Sequence, residues 1–96
     1  MSFAGKFLTK HLKSIILDGE NISASVAGTT NPIKVLERDG DLKIVRARGT
    51  DVPVDTTKGY AKGCLFIDTN VAAGSTGLYV NVGTTTSCDF DAVSDA

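Results

Sequence analysis

The chain has 96 residues, 42% of them apolar and 22% charged, with a formal net charge of −1. A single domain of this length buries about 60–65% of the surface its unfolded chain exposes, which allows a thin core but little room for a deep, supported pocket. The near-neutral balance gives nucleic acid no general hold through its phosphates, and no apolar run is long enough to span a bilayer.

Residues 1–13 form the first predicted element. Phe3, Phe7, Leu8 and Leu12, followed by Ile15 and Ile16, fall at helical spacing, with Lys6, Lys10 and Lys13 elsewhere on the wheel. Gly5 and Thr9 weaken a helix, so two forms are open: a short amphipathic helix or an extended arm. Two roles are open as well, packing on its own sheet or gripping a neighbouring subunit. The lysines break up the apolar residues, so no signal peptide is expected, and the chain is expected to act without secretion.

From residue 14 the dominant pattern is alternation at period two. Ile15 to Leu17 meets Ile22, Ala24 and Val26 across Asp18-Gly19, a strong hairpin signal because a type I′ turn needs positive φ at both central residues. Ile33 to Leu36 meets Leu42 to Val45 across Asp39-Gly40 in the same way, with residues 28–32 as the connecting loop. Leu42 and Ile44 share one face, but Val45 and Ala47 then alternate with Arg46 and Arg48. That change of parity predicts a bulge near Ile44-Val45.

Residues 49–63 are expected to be a long irregular connection, since Pro53 cannot sit in a central strand and Gly59 and Gly63 bracket Tyr60. Cys64 to Ile67 is a short apolar strand. Residues 68–77 lead into Leu78 to Val82, and Ser87 to Val93 closes the sheet. In this last unit Leu78, Val80 and Val82 are expected in the core, Gly83 to Thr86 in the turn, and Cys88 and Phe90 packed toward Cys64 and Phe66.

The expected fold is therefore all-β, a small sandwich or partly closed barrel of about seven short antiparallel strands. Its parts are the arm (1–13), a β-domain (14–93) and an acidic tail (94–96).

Sites for chemistry are scarce. His11 is the only imidazole, and nothing local positions it for a nucleophile. No glycine-rich loop follows a strand and opens a helix. Asp89, Asp91 and Asp95 lack the loop glycine and terminal bidentate acid of a calcium loop. Cys64 and Cys88 belong to no CxxC pair; as buried small hydrophobes they need no further role, while a disulfide or a reactive thiol is the alternative. Lys43, Arg46 and Arg48 form a modest basic strip without interleaved aromatics, which suits an exposed strand face better than a nucleic-acid site. No cofactor, metal or catalytic residue is expected. Charge is unevenly placed: the chain has lysines but no acid before Asp18 and acids but no base after Lys62. That arrangement can orient a subunit as it docks.

The segment GYAKGCLFIDTNVAAGSTGLYVNVGTTTSCDFDAV, residues 59–93, resembles a module of tailed-bacteriophage structural proteins. In that module a GYxxGCxFIDT strand precedes an xLYVNxGTxxSCxF hairpin. Gly59, Tyr60, Gly63, Cys64, Phe66, Ile67, Asp68 and Thr69 carry the first part. Tyr79, Val80, Asn81, Gly83, Thr84, Ser87, Cys88 and Phe90 carry the second.

The resemblance covers a little over a third of the chain and implies a decoration, cement or head-fibre protein. Such a protein would be made in the host cytoplasm and bound to the capsid exterior. Its partners would be the major capsid protein and its own copies, with a trimer favoured, and neither nucleic acid nor membrane. Phe3, Lys6, Phe7, Leu8, Lys10, Leu12 and Lys13 are then the candidate capsid or subunit contacts. The alternative is a fibre-type receptor- or glycan-binding module, for which Tyr60 and Tyr79 are the aromatic candidates.

Overall fold

Alternating apolar residues and closely spaced turn signals produce strands over most of the chain. The computed structural model describes residues 19–93. These form β1 (Glu20–Ile22), one helical turn α1 (Ala24–Ala27), β2 (Ile33–Arg38), β3 (Ile44–Gly49), β4 (Tyr60–Asp68), β5 (Leu78–Asn81) and β6 (Phe90–Ala92). The arm and the last three residues, with the seven candidate contacts from Phe3 to Lys13, lie outside the described residues. So does the first arm of the hairpin expected across Asp18-Gly19.

The six strands build one open sheet in the order β1-β2-β3-β4-β5-β6. Every neighbouring pair is antiparallel except β3 and β4, which run parallel. The expectation of antiparallel strands throughout fails at this pair. Between these strands the chain does not turn back: residues 50–59, with a buried Pro53, cross over the sheet face so that β4 enters in the direction of β3. The sheet does not close on itself, and among the described residues there is no second sheet.

Local chemistry explains where the elements depart from simple alternation. The strand expected through Val26 stops at Ile22. Ser23 to Gly28 instead closes a helical turn, with Ala27 N–H donating to Ser23 and Gly28 N–H to Ala24, both at 2.9 Å. Gly28 caps it in the left-handed region at φ 72°.

The β2–β3 hairpin forms as the sequence predicts, but its turn is not a two-residue Asp-Gly turn. Asp39 Oδ1 accepts the N–H groups of Asp41 and Lys43, each at 2.9 Å, and Leu42 rather than Gly40 takes positive φ. The expected bulge is present: Glu37 pairs with Arg46 and Arg38 with Ile44, so Val45 is bypassed and both Ile44 and Ala47 face inward.

A second bulge lies in β4, where Tyr60 pairs with Ile44 but Leu65 is the next partner, of Arg46. Gly63, at φ 82°, absorbs the extra length. The irregular connection is accordingly shorter than expected. Gly49 ends β3, and Tyr60 to Gly63 already belong to β4.

The core lies on one face, here called inner. Ile33, Val35, Ile44, Ala47, Tyr60, Cys64, Phe66 and Phe90 supply it from the strands, with Ala27 and Cys88 from the segments above. Phe90 meets Tyr60 edge-on at 5.1 Å and Phe66 at 6.0 Å.

The layer over this face is irregular backbone tied by its own hydrogen bonds. Val54 N–H donates to Gly28, Thr56 N–H to Cys88, Cys88 N–H to Thr57 and Gly59 N–H to Thr85. The crossover, α1 and the loop of residues 82–89 thus form one lid, which satisfies backbone groups that burial would otherwise leave unpaired.

Candidate interaction surface

The β5 strand decides what the opposite, outer face displays. Its inward residues are Tyr79 and the buried Asn81, not Leu78, Val80 and Val82; Leu78 is 36% exposed and Val82 51%. The alternation in this strand is as expected but its parity is reversed.

Asn81 explains the reversal. Its side-chain amide donates to the carbonyls of Ala61 at 3.0 Å and Tyr60 at 3.3 Å, and its Oδ1 accepts from Gly83 and Asp89 N–H, each at 2.9 Å. A buried amide with all these bonds made costs little, and it stitches β5 to the β4 bulge and to the lid loop.

With Asn81 inward, the outer face carries an apolar strip. The register aligns Arg46, Leu65, Val80 and Asp91 in one row across β3 to β6. A second row runs through Lys34, Arg48, Ile67 and Leu78, and Val93 N–H bonds to Leu78 at its end. Val82 lies opposite Asp89 beyond the first row, joined by its N–H to the Asp89 carbonyl. Leu65, Ile67, Leu78, Val82 and Val93 are all exposed. Basic residues border this strip on β2 and β3, and Asp89 and Asp91 border it on the other side. Among the described residues, the ion pairs are Arg38–Glu20 at 2.7 Å and the looser Arg46–Glu37 at 3.7 Å. The carboxylate of Asp91 raises the pKa of Asp89, as expected for two acids side by side.

The other candidate residues are absorbed by the fold. Cys64 and Cys88 are both buried free thiols. Burial, with Cys88 nearby, pushes the Cys64 thiol up to about 12; burial also raises that of Cys88. Such thiols are poor nucleophiles at neutral pH. Tyr60 is fully buried and donates its hydroxyl to Ala27, so it is unavailable as an exposed stacking platform, and Tyr79 is half-buried against the core. Among the described residues no cluster of three His, Cys, Asp or Glu could hold a metal, and no helix is long and apolar enough to cross a membrane. A shallow cleft of about 240 Å³ between Glu20, Val35, Leu36, Arg38 and Leu42 falls below the usual size of a ligand pocket.

Comparison with protein-family models, with curated proteins and with solved structures returns no match.

The strip itself was partly legible in the sequence. Arg46 and Arg48 stand on an exposed strand face as expected. The exposure of Leu65, Ile67, Leu78 and Val82 was not, because alternation separates two faces without saying which is covered. The buried Asn81 was the available signal for the choice in β5, but a single polar residue amid apolar ones is ordinarily assigned to solvent.

Proposed function

We propose that this protein is a non-catalytic structural component of a tailed-phage virion, bound to the exterior of the head and reinforcing its lattice. The observation that carries this reading is the outer sheet face, where Leu65, Ile67, Leu78, Val82 and Val93, on or just beyond neighbouring strands, form one exposed apolar strip between charged borders. Residues 59–93, which resemble the phage module, build β4, β5 and β6 and hence most of that strip. Among the described residues the inner face is covered by the chain's own lid, so the sheet surface left for assembly is the outer one.

In this reading Phe3, Lys6, Phe7, Leu8, Lys10, Leu12 and Lys13 are the contacts to the major capsid protein or to neighbouring copies, with the trimer set by the three-fold positions of the head and not by contacts between free copies. A second layer supplied by assembly would also complete the sandwich expected from the strand pattern. Small domains gain by assembly the buried area they cannot provide alone.

Quantitative mass spectrometry of purified particles, against the major capsid protein, tests the proposal. A fixed ratio of many copies per particle is the expected result. A handful of copies would indicate a fibre or vertex component instead, and absence from particles would overturn the virion assignment. Deletion of residues 1–13 is expected to abolish capsid binding while leaving the β-domain folded.

A further inference from the structure

The charges along the first outer row have an arrangement that a second copy of this chain can match. Read across the strands, the row is cationic at Arg46, apolar at Leu65 and Val80, and anionic at Asp91. A two-fold axis parallel to the strands and midway between β4 and β5 exchanges β3 with β6 and β4 with β5. Under that rotation the row lands on itself reversed. Arg46 of each copy then faces Asp91 of the other, and Leu65 faces Val80. The second row behaves compatibly, with Ile67 of one copy facing Leu78 of the other. We infer that the outer face is an isologous interface on which two copies pack sheet to sheet about this axis.

Several observations favour a second copy over other occupants. Stacked sheets lie about 10 Å apart, a gap that apolar side chains fill and that an arginine and an aspartate reach across together. Asp89 and Asp91 have no cationic partner among the described residues, and Arg46 holds only the loose, exposed pair with Glu37. Lys6, Lys10 and Lys13 of residues 1–18 match Asp89 and Asp91 but not the Arg46 and Arg48 border, whereas a second copy matches both Arg46 and Asp91. An isologous contact requires one patch to complement itself, and the reversed row does so. The pairing uses the outer face as a contact between copies, which leaves the arm as the contact to the capsid in the proposed function, and it would hold for this chain in any setting.

Sedimentation equilibrium of the full chain over a range of concentrations, with two charge reversals, tests it. Both positions are exposed, so Arg46→Asp and Asp91→Arg are expected to fold normally, as circular dichroism would verify. The parent should fit a monomer–dimer equilibrium. Each variant alone places like charges opposite one another and should weaken association by about tenfold or more. Mixing the two variants should restore it as a one-to-one heterodimer. At one end of the row the introduced carboxylate of the first variant meets the introduced guanidinium of the second, and at the other end the unchanged Asp91 meets the unchanged Arg46. A parent that stays monomeric at every concentration would overturn the inference. So would a dimer or trimer that neither reversal weakens, or weakened variants that mixing fails to rescue. Nuclear Overhauser contacts in a monomer between residues 1–18 and the methyl groups of Leu65 and Ile67 would assign the face to the chain's own N-terminal segment and overturn it equally.

Discussion

The hydroxyl of Tyr60 donates to the carbonyl of Ala27 at 2.7 Å, joining the first residue of β4 to the last residue of α1 across 33 positions of sequence. Both residues are fully buried. The ring packs edge-on against Phe90 while its polar end satisfies the end of the helical turn. One side chain therefore holds the sheet, the lid and the last strand together. Removing only the oxygen, as in Tyr60→Phe, leaves the Ala27 carbonyl buried without this partner. A loss of about 1–3 kcal/mol is expected in urea unfolding, with no change in slope.

Asn81 presents the same logic with more bonds. In Asn81→Leu the Gly83 and Asp89 N–H groups lose their acceptor and the Ala61 carbonyl loses its donor. Several buried groups go unpaired at once, so the expected cost is about 3 kcal/mol or more. Urea titration measures it. A loss below about 1 kcal/mol would mean that water replaces the amide and that Asn81 does not organise the loop.

Gly83 is needed for close approach, not for an unusual backbone angle. A Cβ there would meet the Ser87 carbonyl oxygen and, at 2.8 Å, the Asp89 nitrogen. Both are backbone atoms of the lid loop and cannot swing aside. Gly83→Ala is expected to cost about 1–3 kcal/mol. The displacement should appear in the amide resonances of residues 84–89 while those of β2 stay in place.

Alkaline pH should destabilise the protein through its buried groups. Burial, with help from Cys88, holds the folded Cys64 thiol near 12 against 9.0 for an unperturbed thiol, and the Cys88 thiol and Tyr60 phenol are raised as well. A raised folded pKa means that the unfolded state releases its proton first. The stability linked to Cys64 is complete below about pH 9 and falls as pH climbs toward about 12. Urea midpoints taken from about pH 8 to 11 should decline, and Cys64→Ala, though less stable at neutral pH from its small cavity, should decline less steeply.

The arrangement of β4 and β5 separates what was legible from what was not. Cys64 and Phe66 alternate with Leu65 and Ile67, and the spacing alone assigned them to a strand. The parity break at Val45 announced its bulge, because consecutive apolar residues cannot all face one side of a pleated strand. Cys88 and Phe90 were placed inward, and they are buried beside Tyr60 and Phe66. These are local properties, decided by period two and by the chemistry of a few neighbouring residues.

Other features depended on residues far apart in the chain. Ser23 to Ala27 alternates as a strand would, yet it curls into a helical turn that buries Ala27 beneath Tyr60. The parallel entry of β4 follows from a crossover whose backbone bonds to residues 28, 85 and 88, partners that no local pattern announces. Which face of β5 lies inward was decided by the hydrogen bonds that meet Asn81 from β4 and the lid loop. Local sequence divides a strand into two faces; only the groups brought against it by the rest of the chain determine which face is buried, and here that choice leaves Leu65, Ile67, Leu78 and Val82 on the outside between Arg46 and Asp91.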